Sequence, residues 1–307
     1  MSERIALIVG TSHYQDQAIS RLEMPVPSLH ALASVLRDPN IGNFNLVETI
    51  FDQPSHEIQR QIRDLFHRRK KHDLLLLYFF GYGALDEAGH LFLAASDTEL
   101  DSLQGTAIPA AYITDSMDRS FSRQQILIFD CIHIAAFAPG ARIELGSRMG
   151  TGPAFEGKGY WRIVLAANDA TQVAWTGGEL LGDVKQSAFT RYLIRGLGTG
   201  AADLDQDGRV EIGEVYTYIQ DQVVQQPEAL EPHKWRYNQR EKFYIARNPK
   251  LAVRSRPILW DVSVGAIMAP LVTVFLGRYA DLSDSIGLAG ILLLLYALLY
   301  WGLSLET

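Results

Sequence analysis

Four predominantly apolar runs constrain the fold more than any other feature of this chain. They are Ile5–Gly10 (IALIVG), Asp73–Phe80 (DLLLLYFF), Gln125–Asp130 (QILIFD) and Trp161–Ala167 (WRIVLAA). A strand wetted on one side alternates apolar with polar residues. A run without alternation is covered on both faces, as the strands of parallel sheets are. Between these runs lie segments with apolar residues at helical spacing: Ser28–Leu36, Pro54–Lys71, Ala110–Asp118, Ser187–Gly196 and Glu214–Gln226. Asp38-Pro39 stops the first of them. Phe44–Phe51 and Leu91–Ala95 add two shorter strand patterns. Repeated strand–helix units of this kind imply a three-layer α/β fold around a mostly parallel central sheet. Ligand sites on such sheets gather at the carboxyl ends of the strands.

Charge narrows the partners. The formal net charge is -7, and Arg68-Arg69-Lys70-Lys71 is the one dense basic block before residue 247. That balance argues against nucleic acid as the main partner. The block continues a helical pattern and is expected as the solvated end of the Pro54–Lys71 helix. Cys131 is the only cysteine. An intrachain disulfide is therefore excluded, and a reducing cytosol suits the chain. The first apolar run, Ile5–Gly10, has strand length and does not read as a signal-peptide core.

Composition shifts after residue 249. A basic linker, 250–257, precedes Leu259–Gly277, where Asp261 is the single charge, and Ile286–Leu303, which has none. As helices these stretches span about 27–28 Å, close to the roughly 30 Å of bilayer hydrocarbon. Buried helices of a small C-terminal subdomain are the alternative, but a core helix normally keeps a polar stripe. The sequence thus predicts a membrane anchor, 258–307, made of a two-helix hairpin. Arg247, Lys250, Arg254 and Arg256 precede the first span, whereas the hairpin turn offers only Arg278. The excess of positive charge sets domain 1–249 on the cytoplasmic side.

Several ordered motifs in residues 4–249 carry a resemblance. They include Tyr78-Phe-Phe-Gly-Tyr-Gly83, Asp86-Glu-Ala-Gly-His-Leu-Phe-Leu-Ala-Ala-Ser-Asp-Thr98, Thr106-Ala-Ile-Pro109, Phe129-Asp-Cys-Ile-His133, Ala188-Phe-Thr190 and Phe243-Tyr-Ile-Ala-Arg-Asn-Pro249. Together they resemble the bacterial caspase-like proteases, the peptidase C14 metacaspase or orthocaspase group. The resemblance implies a caspase-like fold and places the catalytic His at Tyr82 and the nucleophilic Cys at Ile132. Ile132 has no lone pair with which to attack. A phenol near pKa 10 is a poor base at neutral pH. Phe80 stands where the family carries Ser, and Ile134-Ala135 where it carries Ser-Gly. The chain therefore reads as a degenerate member, a pseudoprotease. A shifted dyad of Cys131 and His133 meets a geometric objection, because side chains alternate along a strand and both would face away from Ile132. Asp130 matches the residue that helps basic-specific relatives hold an Arg or Lys side chain; a structural role at the strand end is the other reading.

One motif points to a metal. Asp203-Leu-Asp-Gln-Asp-Gly-Arg-Val-Glu-Ile-Gly-Glu214 fits the EF-hand loop, residues 203–214. Asp203, Asp205, Asp207 and Glu214 are the carboxylate positions, Arg209 gives its carbonyl, Glu211 stands where a ligand often acts through water, and Gly208 turns the chain. Ca²⁺ is the cofactor this implies; a solvated acidic turn ahead of a helix is the alternative. The expected function is that of a membrane-anchored, calcium-responsive scaffold or regulator. Its partner would be a protein or basic peptide, an active caspase-like relative among the possibilities. The competing functions are an endopeptidase cleaving after Arg or Lys, and a membrane effector whose hairpin is the active part.

Overall fold

A computed structural model describes residues 2–19, 21–22, 26–135, 154–158, 161–167, 188–223, 232–238 and 242–254, with the backbone alone for 132–135 and 252–254. The chain divides into two units, Met1–Ala252 and Val253–Thr307. The apolar stretches 259–277 and 286–303 lie outside the described residues. Among the described residues, no helix is long and apolar enough to cross a membrane.

The four apolar runs become the centre of one sheet. β1 (Arg4–Gly10), β2 (Leu46–Phe51), β3 (Leu74–Leu85), β6 (Gln124–Ala135) and β7 (Arg162–Ala166) are parallel, in the order β2-β1-β3-β6-β7. β9 (His233–Tyr237) closes the far edge antiparallel to β7. β4 (Leu91–Leu93) folds back antiparallel on the end of β3 and pairs in turn with β5 (Ile108–Pro109). All twelve residues of β3 are buried, which is why its sequence shows no polar alternation.

Strand alternation separates two cores. On one face Ala6, Ile8, Leu76, Tyr78, Ile126 and Ile128 pack against α1 (Val26–Arg37), α5 (Ala188–Thr199) and α6 (Ile212–Val223). On the other, Leu7, Leu77, Phe79, Leu127 and Phe129 meet α2 (Ser55–Phe66) and α4 (Ala110–Asp118). The short α3 (Leu103–Thr106) leads into β5. Three layers result, as expected from the repeated strand–helix units.

The main local departure is the end of α2. The helix stops at Phe66, five residues before the predicted end, and Arg68 takes φ +55°. The buried Asp73 carboxylate accepts from the Lys70 and Glu3 amides at 2.7 and 2.8 Å, drawing the basic segment into a turn. Later in the chain, β8 (Arg209–Glu211) pairs antiparallel with β10 (Tyr244–Arg247), and the helical turn α7 (Pro249–Arg254) follows.

Arg162 is fully buried at the start of β7, held by Asp118 and by the Phe155 carbonyl. Breaking such a pair leaves a buried charge uncompensated. Asp118→Ala is expected to cost about 3–5 kcal/mol, seen as a lower midpoint in urea unfolding. A midpoint unchanged from the parent would show the pair to be dispensable.

Candidate active site

The two positions assigned to a catalytic pair lie side by side. β3 and β6 run in uninterrupted parallel register from Leu74↔Gln124 to Leu85↔Ala135, and Tyr82 is the partner of Ile132. Adjacent strands stand about 4.8 Å apart. The pair therefore sits at the carboxyl end of the sheet, as the topology expects.

Tyr82 is 2% exposed, its ring 5.4 Å from that of Tyr14. The Tyr82 amide donates to the Tyr14 hydroxyl at 3.2 Å, and that hydroxyl donates to the Thr11 carbonyl at 2.8 Å. Burial pushes both phenols above their ordinary pKa of 10.0, Tyr14 by more. Neither can take a proton from a nucleophile at neutral pH. Gly81 has φ +155°, and a Cβ there would meet the Phe79 ring at 3.0 Å and the Tyr14 hydroxyl at 3.2 Å. The glycine makes room for the tyrosine pair.

Cys131 is the register partner of Gly81 and belongs to the opposite core, with Phe129, Leu127 and Phe79. It is 2% exposed, and burial, with the Asp130 charge second, pushes its thiol well above the ordinary 9.0. A reactive cysteine needs the reverse, an accessible thiolate. Asp130 lies on the tyrosine side. Its Oδ2 accepts from Thr190 Oγ1 at 2.5 Å and from the Tyr78 hydroxyl at 3.3 Å, and Tyr78 and Thr190 are themselves 2.5 Å apart. The Asp130 carboxylate thus ties β3 and β6 to α5 while remaining 7% exposed.

Comparison with known proteins bears on this geometry. The family model described as the caspase domain (peptidase C14) matches residues 3–252. The chain belongs to the caspase-domain family. Among solved structures, the protein GSU0716 from Geobacter sulfurreducens is similar over 78% of this chain and 95% of that one. The identity is 12% and the TM-score 0.51, a likeness of fold alone. No curated protein matches the chain.

The acidic loop of this caspase domain joins α5 to α6. Asp203, Asp205 and Glu214 each offer a carboxylate oxygen within 4.8 Å of the other two. Asp203 is 6% exposed; its Oδ2 accepts from the Gly208 amide and Asn248 Nδ2, while Oδ1 is buried with no hydrogen-bond partner among the described residues. Glu214 accepts from the Leu204, Asp205 and Glu211 amides. Asp207 is outside the trio and accepts from the Arg209 amide. Gly208 has φ +88° with open space around its Cα, the sharp turn such a loop requires. Arg209 opens β8 and lays its guanidinium over the Tyr244 ring. Lys242 stands 3.6 Å from Asp205 and from Glu211, offsetting part of the negative charge.

The sequence motifs do not reveal three participants. Tyr14 lies just beyond the carboxyl end of β1, where sheet topology directs attention, but its partner is 68 residues away. Tyr78 and Thr190 stand inside quoted motifs, yet only the fold joins them to Asp130. A Ser12–His13–Asp52 cluster also forms at the carboxyl ends of β1 and β2. Ser12 Oγ and Asp52 Oδ2 both lie 2.9 Å from the same nitrogen, His13 Nδ1. A proton relay needs the hydroxyl and the carboxylate on opposite ring nitrogens. Burial acts to raise the Asp52 pKa, but the Ser12 and His13 amides and the His13 ring hold it below the usual range.

Buried acids whose pKa values are raised make stability fall in alkali. The unfolded chain loses protons from Cys131 near 9.0 and from Tyr78 and Tyr14 near 10.0, while the folded chain retains them. Their contribution is complete below pH 9 and is lost as pH climbs toward the folded values. The urea midpoint is expected to drop steeply between pH 9 and 11, less steeply in Tyr78→Phe. A flat profile would contradict the burial of these groups.

Proposed function

We propose that this caspase-domain chain does not cut peptides and acts by binding, as a regulator or scaffold. One observation carries the reading. The register pair at the carboxyl end of the sheet is a buried phenol beside an isoleucine, with the neighbouring thiol turned into the opposite core. Covalent cleavage needs a nucleophile, a base in reach and donors for the oxyanion. Neither residue of this pair can serve as nucleophile or base. Burial of Phe80 and Tyr82 there stabilises the sheet where an enzyme would keep a cleft. A basic peptide or a protein that presents one is the proposed client, reaching the carboxyl end near Asp130.

Fluorogenic peptides ending in Arg or Lys, with calcium present, are expected to show no turnover by the full chain. Restoring Tyr82→His with Ile132→Cys is expected to yield weak turnover at best, because Phe80 and the tyrosine pair still crowd the site. Turnover by the parent that Cys131→Ala abolishes would overturn the reading.

A second reading concerns calcium and rests on the unpartnered, buried Oδ1 of Asp203 beside two further carboxylates. The ligands of the loop are Asp203, Asp205, Asp207, the Arg209 carbonyl and Glu214, a set of hard oxygens that suits Ca²⁺. Binding requires Glu214 to release backbone amides it now holds. Because Asp203 also holds Asn248, the ion would stiffen the β8–β10 pair and the exit of the chain at α7. Ca²⁺ at a hundred times its dissociation constant adds about 2.7 kcal/mol, or roughly 5–10 °C in melting temperature for a domain of this size. Asp203→Asn and Glu214→Gln are expected to remove that rise. No difference between calcium and chelator in the parent would overturn this reading.

Residues 259–277 and 286–303 form the proposed membrane anchor, supported by their apolar length and the basic residues before them. The caspase domain then faces the cytoplasm.

A further inference from the structure

In a parallel sheet whose helices run back, every helix-to-strand loop lies at the amino ends of the strands. The loops entering β3 and β6 are neighbours there. The Arg123 amide donates to the Lys71 carbonyl at 3.0 Å, and Ser122 Oγ donates to the Asp73 carbonyl at 2.7 Å. These two loops carry Arg68, Arg69, Lys70, Lys71, Arg119 and Arg123 on a chain whose formal charge is -7. Their acidic member, Asp73, is withdrawn: 2% exposed, its oxygens occupied by the Glu3 and Lys70 amides. Arg69 turns back to the Leu65 and Asp64 carbonyls. Arg68, Lys70 and Lys71 remain exposed and make no ion pair among the described residues. Beside them Phe121 is 73% exposed, the most exposed large apolar side chain described.

The chain leaves the caspase domain from this end. Arg4, at the start of β1 and paired with Leu74, donates to the Tyr244 and Ile245 carbonyls on β10, and the Arg247 amide donates to the Ile41 carbonyl below α1. α7 follows directly, and the next residues lead into the apolar stretch that begins at Leu259. From Arg254 to Leu259 the chain can reach at most about 18 Å.

We propose that the amino-end face centred on Arg68, Lys70, Lys71 and Phe121 docks on anionic phospholipid headgroups. The basic side chains meet the lipid phosphates and carboxylates while the Phe121 ring enters the interfacial layer, as aromatic residues at membrane surfaces do. Phe121 and the short tether favour a lipid surface over nucleic acid, which offers no apolar layer. The face is opposite the Tyr82–Ile132 end of the sheet, so docking leaves that end open to the cytoplasm. This inference rests on the membrane anchor proposed above.

The test uses the full chain in nanodiscs of phosphatidylcholine alone or with 30% phosphatidylserine. Exposed lysines are acetylated with a water-soluble reagent and read by peptide mass spectrometry. Lys70 and Lys71 are expected to react at least about threefold more slowly in the anionic discs. Lys234, on β9 opposite Leu165 toward the carboxyl end of the sheet, reports on general reactivity and stays unchanged. Arg68→Glu with Arg119→Glu removes the protection, and Phe121→Ser reduces it. Equal rates in both discs, with the chain retained in them, overturn the docking face and spare the anchor. A chain that does not stay with discs but floats with anionic vesicles, losing this in Arg68→Glu with Arg119→Glu, overturns the anchor and sustains the face. Protection by duplex DNA in place of anionic lipid overturns the lipid assignment.

Discussion

The twelve-residue parallel register between β3 and β6 governs most of what this caspase domain can do. Parallel pairing buried on both faces favours apolar residues, and after the opening Gln124-Gln125 the two strands supply them without a break until Asp130. Alternation then assigns each side chain to a layer with no further freedom. Cys131 belongs to the layer of Phe79 and Phe129 because Asp130 belongs to the other, and the sequence offers no bulge with which to change places. A one-residue slip would turn every apolar side chain of β6 toward the wrong helices. The thiol is therefore held in the opposite core by the same packing that stabilises the sheet.

Polar groups inside the domain act as ties between layers. Asp130 joins the sheet to α5 through Thr190 and Tyr78; Asp73 turns the basic loop between α2 and β3; Asp203 links the acidic loop to Asn248. Arg4 performs the same task at the start of β1, lying over the Phe44 ring and capping carbonyls of β10. Its burial, reinforced by Arg247, lowers its pKa to about 10. Each tie leaves one end of the sheet with a distinct surface. The carboxyl ends present a closed aromatic pair, and the amino ends present exposed cations.

Much of this was legible in the residues. The apolar runs predict the parallel strands, since burial on both faces leaves a compositional trace, and α4 falls on Ala110–Asp118 as the spacing predicts. The order of motifs predicts the family and the adjacency of positions 82 and 132. What escaped has a common cause. The Pro54–Lys71 pattern overran because Arg and Lys are good helix formers, and the competing hydrogen bonds come from Asp73 and Glu3. β8 is three residues inside an acidic loop, too short for any periodicity, and β9 (HKWRY) is a half-buried edge with no alternation to read. Tyr14 and Thr190 gain their roles from contacts 68 and 60 residues distant in sequence, which no local pattern encodes.

The most direct measurement treats the intact chain with an arginyl chloromethyl ketone, which alkylates a working cysteine peptidase at its nucleophile, followed by whole-protein mass spectrometry. The account predicts an unmodified native mass, with Cys131 reacting only after denaturation. A stoichiometric adduct on Cys131 in the folded protein would contradict it.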